Sequence, residues 1–300
     1  MNENKRIVKN SLILYARLFI VSVCSLFTTR YALKALEADD YGLFSVVGSI
    51  IVFMAIINTI MVSTSTRFIT VALGRGDTEE VNKQFNVNLI IHIAIALITL
   101  LFALPLGELY IHKFINYAGD ISNAIMVYRI SIISSVISFI GVPYNGLLMA
   151  KEKFIVFCSR DIFTAIAKLI VAILLVYCFD SKLLIYALTL GIATAYPTLA
   201  FTIYCNKHYP EITNLKWVKD KKRYKEVFTF SAWTAFGAVA TIGRQQGAAL
   251  IINAFFNTIM NTALGIANTV NHFITMFSQN ISNQIAPQIT KRYAAGNRTK

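Results

Sequence analysis

Acidic residues are scarce in this chain. Asp and Glu total 15 against 28 Lys and Arg, and all charged residues together fill only 14% of 300 positions. A soluble domain of that length needs far more polar surface, so the soluble globular class is excluded first. Cysteine is scarce too. Cys24, Cys158, Cys178 and Cys205 lie in or beside apolar segments with no CxxC spacing, which excludes a disulfide frame or thiolate metal site and leaves them as small apolar residues. The four histidines are scattered, with His92 and His112 most of a helix apart, His208 in a basic stretch and His272 alone; no metal site is expected. There is no P-loop, no HExxH, no paired carboxylates in a long loop and no nucleophile beside a base, so nothing supports an enzyme and no cofactor is expected. A secretory signal is missing as well: Met1 to Asn10 is a short basic leader, and the run after it is too long for a signal core and has no clear small-residue cleavage site.

What the chain has is apolar length. Hydrophobic residues make up 56% of it, and the mean hydropathy is +0.59. About eight apolar segments run approximately 11–33, 41–66, 86–107, 121–149, 154–179, 183–205, 227–256 and 260–287. Most have room for the roughly 20 residues of a spanning helix. Barrel strands would be shorter and alternately polar, so the expected class is an all-α integral membrane protein. The net charge of +13 does not call for nucleic acid, because the cations cluster in alternate loops. Lys5, Arg6 and Lys9 precede the first helix; Arg67, Arg75 and Lys83 follow the second; Lys151 and Lys153 follow the fourth; a cluster from Lys207 to Lys225 follows the sixth. The positive-inside rule then puts both termini of this chain in the cytoplasm.

The longest break, roughly Asn206 to Tyr224, is polar and basic and contains Pro210. It divides the chain into a six-helix N-terminal lobe (1–206), a cytoplasmic basic linker (207–226) and a C-terminal part (227–300). A shift of 220 residues lays Lys5 on Lys225, Ser11 on Ser231, Ile69–Thr70 on Ile289–Thr290 and Gly76 on Gly296. Helices seven and eight would then replay helices one and two, as the first two helices of an incomplete second lobe.

Basic residues inside the apolar runs are the sharpest functional signal. Arg17, Arg30, Arg129, Lys168 and Arg244 fall within such runs or at their edges, and one carboxylate, Asp161, joins them. A charge in the bilayer is costly, so each is a functional hypothesis. Arg17, Val21, Cys24 and Thr28 share a helix face, with Ser22 and Ser25 beside it. Arg30 is placed to snorkel. Asp161, Thr164 and Lys168 share a face of the fifth helix; Asp161 is expected to balance a cation on another helix, or to couple an ion. The serines after Arg129 suit helix packing. The eighth helix carries a polar stripe of Asn268, Asn271, Thr275 and Gln279, and the seventh adds Arg244 and Gln245. Guanidinium and ammonium groups suit phosphate, and amides suit sugar hydroxyls. The expected site is therefore a cationic cavity of Arg17, Arg129, Lys168 and Arg244, with Gln245, Asn268, Asn271, Thr275 and Gln279 toward a glycan.

Several phrases are then recognisable. PYNGLLMAKEKF at 143–154, FSAW at 230–233, QQGAALIINAFF at 245–256, ALGIANTVNHF at 263–273, APQITKRYAAGN at 286–297 and DYGLFSVVGSI at 40–50 resemble the bacterial oligosaccharide (O-antigen type) flippases. These belong to the multidrug, oligosaccharidyl-lipid and polysaccharide exporter superfamily. The resemblance implies a MATE-like fold of two six-helix lobes, or more, around a V-shaped cavity. It implies alternating access in the bacterial inner membrane and a polyprenyl-pyrophosphate-linked oligosaccharide as cargo, for surface polysaccharide or lipopolysaccharide. Membrane lipids, sodium or protons as coupling ions, and a monomeric state go with it. The alternative is a cation-coupled multidrug antiporter of the same fold, which would use Asp161. A membrane glycosyltransferase, ligase or polymerase would need a sizeable outer loop, and the outer loops here are short.

Overall fold

A computed structural model of the chain describes residues 3–114, 120–178, 182–255, 271, 274–275, 278, 282 and 285–294, with side chains omitted at 3–11, at most of 37–53, at 55 and 114, and at 242–255. All regular structure among them is helical: α1 (Glu3–Gly74), α2 (Thr78–Ile98), a π-helical turn (Thr99–Ala103), α3 (Leu104–Phe114), α4 (Ile121–Ala150), α5 (Phe154–Cys178), α6 (Lys182–His208), α7 (Pro210–Thr213) and α8 (Lys221–Phe255). Residues 285–294 are helical as well.

Among the described residues six stretches are long and apolar enough to cross a membrane: Leu12–Leu36, Ile56–Gly74, Thr78–Lys113, Ile121–Ala150, Phe154–Cys178 and Lys182–His208. They correspond to the first six expected segments. The second reaches Gly74 rather than stopping at 66. Arg67 does not end it, because its guanidinium lies 4.0 Å over the Phe230 ring while Phe68, Ile69 and Ala72 continue the apolar pattern. The third is longer than 86–107, since α2, the π turn and α3 follow one another without a break. α8 covers the seventh expected segment; the eighth lies mostly outside the described residues.

Packing gives the directions. Leu14 packs with Phe154 and Cys158, and Ala32 to Leu36 with Leu175, so the first span runs parallel to α5. Met61 packs on Val142 and Ile69 on Leu147 to Ala150, so the second runs parallel to α4. The turn Lys151–Lys153 makes α4 and α5 antiparallel, and the chain within α1 therefore reverses between its two spans. Tyr128 caps the α3 side, its hydroxyl donating to the Ala103 carbonyl at 2.6 Å. α6 lies along α4 at contact distance, since a Cβ on Gly141 would stand 2.3 Å from Thr198 Oγ1. Only glycine lets these two helices meet there.

The turns are chemically specified. Asp77 caps α2 by accepting from the N–H groups of Glu79 (2.9 Å) and Glu80 (3.1 Å), and the acidic first turn complements the helix dipole. After α4, Lys153 N–H bonds the Leu148 carbonyl and Glu152 N–H that of Met149, the double closure of a Schellman end. The left-handed position of that motif is usually glycine. Here it is Glu152, with φ +57, and its carboxylate accepts from Lys291 Nζ at 3.0 Å and Gln288 Nε2 at 3.2 Å.

That contact belongs to a closed face. On the side carrying Lys151–Lys153 and the α6–α8 connection, the base of α8 and the 285–294 helix lie against the α1–α6 bundle. Ser231 Oγ donates to Thr64 Oγ1 at 3.2 Å, Phe230 meets Phe68 edge-on at 5.9 Å, and a Cβ on Gly74 would lie 2.6 Å from the Lys291 carbonyl oxygen. Burial first, then the neighbouring charges of Lys291 and Lys153, push the Lys151 ammonium below its ordinary pKa. Farther along α8 the side chains stand free: Trp233, Phe236 and Val239 are exposed.

Candidate functional site

A cavity of about 530 Å³ opens inside the α1–α6 bundle. Its polar wall comes from five membrane-length spans. The first supplies Arg17, Ser25, Thr28 and Thr29, the second Asn58, α4 Ser138 and Asn145, α5 Arg160, Asp161, Thr164 and Lys168, and α6 Thr194 and Thr198. Ser138 and Asn145 share a face of α4 at a spacing of seven. Asn58 Nδ2 donates to Ser138 Oγ at 2.8 Å. A smaller cavity of about 220 Å³ shares Asn58, Ser138 and Thr194 and extends the space along α4.

The charges are arranged around one carboxylate. Arg17 Nε donates to Asp161 Oδ2 at 2.5 Å, and its Nη2 also reaches that oxygen. Arg160 Nη2 lies 2.7 Å from Asp161 Oδ1. Asp161 thus ties the first span to α5 and holds two guanidiniums apart. Phe157 lies under both, 4.8 Å from Arg17 and 5.2 Å from Arg160, and Phe201 is 4.7 Å from Arg160. Lys168 stands near the midpoint of α5 with no hydrogen-bond or ion-pair partner among the described residues. Among the described residues three cations and one carboxylate line the cavity, an excess of two positive charges.

The cavity wall is also unfinished. Arg160 Nε, Thr164 Oγ1 and Asn145 Oδ1 are buried and without hydrogen-bond partners among the described residues, and all three residues line this space. Buried polar groups are normally satisfied, and a charged donor without a partner is the costliest exception. The arrangement is therefore complementary to an anionic group that also carries a hydroxyl: donors from Arg160, Lys168 and Thr164, and an acceptor from Asn145.

The expected site residues fare differently. Arg17, Asp161 and Lys168 come together in the cavity. Arg129 does not. It is half exposed, with Nε and Nη2 donating to Glu108 of α3 at 2.6 and 3.0 Å. The reason is geometric: nine residues separate it from Ser138, about half a turn around α4, so it faces away from the wall. Glu108 lies within the span Thr78–Lys113, so Asp161 is not the lone carboxylate inside the membrane-length helices. Arg30 is exposed. The side chains of Arg244 and Gln245, and residues Asn268 and Gln279, lie outside the described residues. Asn271 and Thr275 are exposed and bonded to each other at 3.1 Å. Sequence reasoning passed over Arg160, Asn58 and Asn145. Arg160 obeyed the same signal as the others, a cation in an apolar run, but stood in the shadow of Asp161 beside it.

Helices of membrane length packed into this bundle, with a partly open charged cavity among them, define a multi-pass membrane protein. The fold matches solved structures of that class at low sequence identity. A mutant MATE protein superposes with a TM-score of 0.81 at 10% identity, covering 97% of this chain and 66% of the other. An outward-facing multidrug resistance MATE family transporter of the MOP superfamily gives 0.76 at 12%, covering 97% and 66%. A MOP superfamily transporter from Pyrococcus furiosus, described as having a binding pocket of reverse polarity, gives 0.67 at 13%, covering 97% and 65%. The chain spans about 66% of the length of the first of these. No curated protein matches it in sequence. Residues 34–296 match the model of the polysaccharide biosynthesis protein family, and the chain belongs to that family.

Proposed function

We propose that the protein flips a polyprenyl-pyrophosphate-linked oligosaccharide across the bacterial inner membrane, for surface polysaccharide or lipopolysaccharide assembly, by alternating access between two lobes (1–206 and 227 onward) joined by the basic linker 207–226. The observation that carries this is the unfinished cationic cavity inside the membrane-length helices of a polysaccharide biosynthesis family member. Phosphate oxygens satisfy Arg160 and Lys168, and the strength of such charge-assisted bonds grows out of water. Arg17 acts through Asp161, as the strut that positions Arg160. Arg244, Gln245, Asn268, Asn271, Thr275 and Gln279 are assigned to the cleft between the lobes, toward the glycan. The lipid tail stays in the bilayer while the head crosses. The protein works as a monomer with both termini of this chain cytoplasmic. It is a transporter rather than an enzyme.

A cation-coupled multidrug antiporter would need a carboxylate free to hold a sodium ion or proton. Asp161 is engaged by two guanidiniums, so sodium or proton coupling in this protein would have to act at another group or displace them. Deleting the gene in its host and measuring lipid-linked oligosaccharide on each membrane face tests the proposal. Accumulation on the cytoplasmic face, loss of surface glycan and rescue by the intact gene are expected. Unchanged glycan lipid with new sensitivity to cationic drugs would overturn it in favour of the antiporter.

A further inference from the structure

The segment between α7 and α8 is not helical, yet it is firmly held. Asn82 Nδ2 donates to the carbonyls of Ile212 and Asn214, each at 2.8 Å. Asn86 Nδ2 donates to the Asn214 carbonyl at 3.0 Å, and Asn86 Oδ1 accepts from Lys216 N–H at 3.1 Å. Both asparagines are buried on α2. At the other end the Tyr224 hydroxyl donates to the Val218 carbonyl at 2.7 Å. Between these clamps Val218 turns inward against the cluster of Val87 and Val227. Leu215 and Trp217 are held outward, 71% and 76% exposed.

Depth and charge say what covers them. Val87 and Val227 stand where the apolar runs of α2 and α8 begin, so Val218 sits at the edge of the apolar layer and Trp217 beside it. That is the level at which headgroups meet hydrocarbon, where tryptophan is enriched because its ring is apolar and its N–H polar. Lys216, Lys219, Lys221 and Lys222 surround the pair, and none is in an ion pair among the described residues; Glu79, which feels the charge of Lys216, is itself paired with Lys83 at 2.9 Å. The nearby acid Asp220 is already engaged, by Arg223 Nε and the Lys222 N–H, both at 3.0 Å.

We infer that residues 215–222 form a binding site for anionic phospholipid headgroups. Leu215 and Trp217 sit below the phosphates, and the four lysines sit on them. The site anchors the connection between α6 and α8 to the membrane surface. It does not depend on which cargo the protein moves.

The chain has two tryptophans, so Trp233→Phe leaves Trp217 as the sole reporter. The protein is reconstituted in phosphatidylcholine vesicles containing phosphatidylglycerol, with bromine on the acyl chains of one lipid or the other. Trp217 is expected to emit at shorter wavelength than a water-exposed indole and to be quenched by brominated chains. Quenching by brominated phosphatidylglycerol should exceed that by brominated phosphatidylcholine at equal mole fraction. High salt should weaken this preference. The variant carrying Lys216→Gln, Lys219→Gln, Lys221→Gln and Lys222→Gln should lose it while Trp217 remains quenched. Trp217 emitting as if in water, untouched by bromine, would overturn the inference. So would equal quenching by the two lipids in the parent, or a wavelength shift that appears only when cytosolic protein is added, which would assign the surface to a protein partner.

Discussion

Two regions of this molecule bury polar side chains inside apolar helices, and they are built in opposite ways. Along α2, Asn82, Gln84, Asn86, Asn88 and His92 are all buried. They are consumed by the fold: two asparagines hold the connection after α7, Asn88 Nδ2 donates to the Gln84 carbonyl and Oδ1 accepts from Ser65, and His92 Nδ1 meets the Asn88 carbonyl. The atoms left over there, Asn82 Oδ1, Gln84 Oε1 and His92 Nε2, are uncharged. Around the cavity the leftover set includes a guanidinium donor, Arg160 Nε, on a residue that lines the cavity. Buried polarity alone does not mark a site. Buried charge with an open volume beside it does, because its desolvation cost remains until something enters.

The largest effect should come from removing Asp161, the compensating charge among the described cavity residues. Asp161→Asn leaves Arg17 and Arg160 facing each other without their counter-ion, at a cost of about 3–5 kcal/mol. Thermal unfolding in detergent should show a large fall in Tm, and adding Arg17→Gln should restore much of it. An unchanged Tm would mean that the triad is not structural. Lys168→Met should do the reverse. No partner is lost and an ammonium is removed from the membrane interior, so Tm should hold or rise. Cargo binding should weaken by about ten- to a hundredfold, the value of one charge-assisted bond. Lower stability with normal export would invert the comparison.

The α2 region should respond only in stability. Asn86→Ala strips the Lys216 N–H of its acceptor, while the Asn214 carbonyl keeps Asn82. The expected cost is about 1–2 kcal/mol, visible as a modest Tm loss with export per folded molecule unchanged. Lost export at full stability would show that this network also works in transport.

Much of this was legible before any coordinates. The six spans followed from apolar length. The faces of Arg17 with Val21 and Thr28, and of Asp161 with Thr164 and Lys168, followed from helical spacing, and each contributes to the cavity wall. Which faces meet is a different matter. Arg129 looked equivalent to Arg17 because both are arginines in apolar runs, and only the rotation of α4 against α3 and α6 separates them. Glu108, one residue beyond the apolar run as marked, was passed over because the π turn carries that helix farther than hydropathy suggested. Arg160 was hidden because neighbours in a helix point about 100° apart and do not read as one stripe. Its long side chain nevertheless packs against Phe157 and Phe201 and reaches the same carboxylate as Arg17.

The smallest predicted effect concerns the closed face rather than the cavity. Glu152 keeps a left-handed backbone that glycine would hold more easily, a cost of about 1–2 kcal/mol. Its carboxylate, 8% exposed, is bonded to Lys291 and Gln288. The strained turn therefore aims a charge at the helix across the gap. Glu152→Gln should weaken that contact by about 1 kcal/mol or less, since Lys291 is 27% exposed and partly screened. Gly74→Ala should wedge the same face apart, because its Cβ would meet the Lys291 carbonyl and Ala294. In a background lacking native cysteines, a Thr290→Cys reporter should react faster with an impermeant maleimide from the Lys151 side in both variants. A gain of up to about fivefold corresponds to 1 kcal/mol. In the parent, labelling should slow as pH rises through the lowered Lys151 pKa, once the greater thiolate reactivity is corrected for: the closed face binds that proton less tightly, so losing it favours closure. Equal labelling in all three proteins would show that Glu152 and Gly74 shape the turn without holding the face shut.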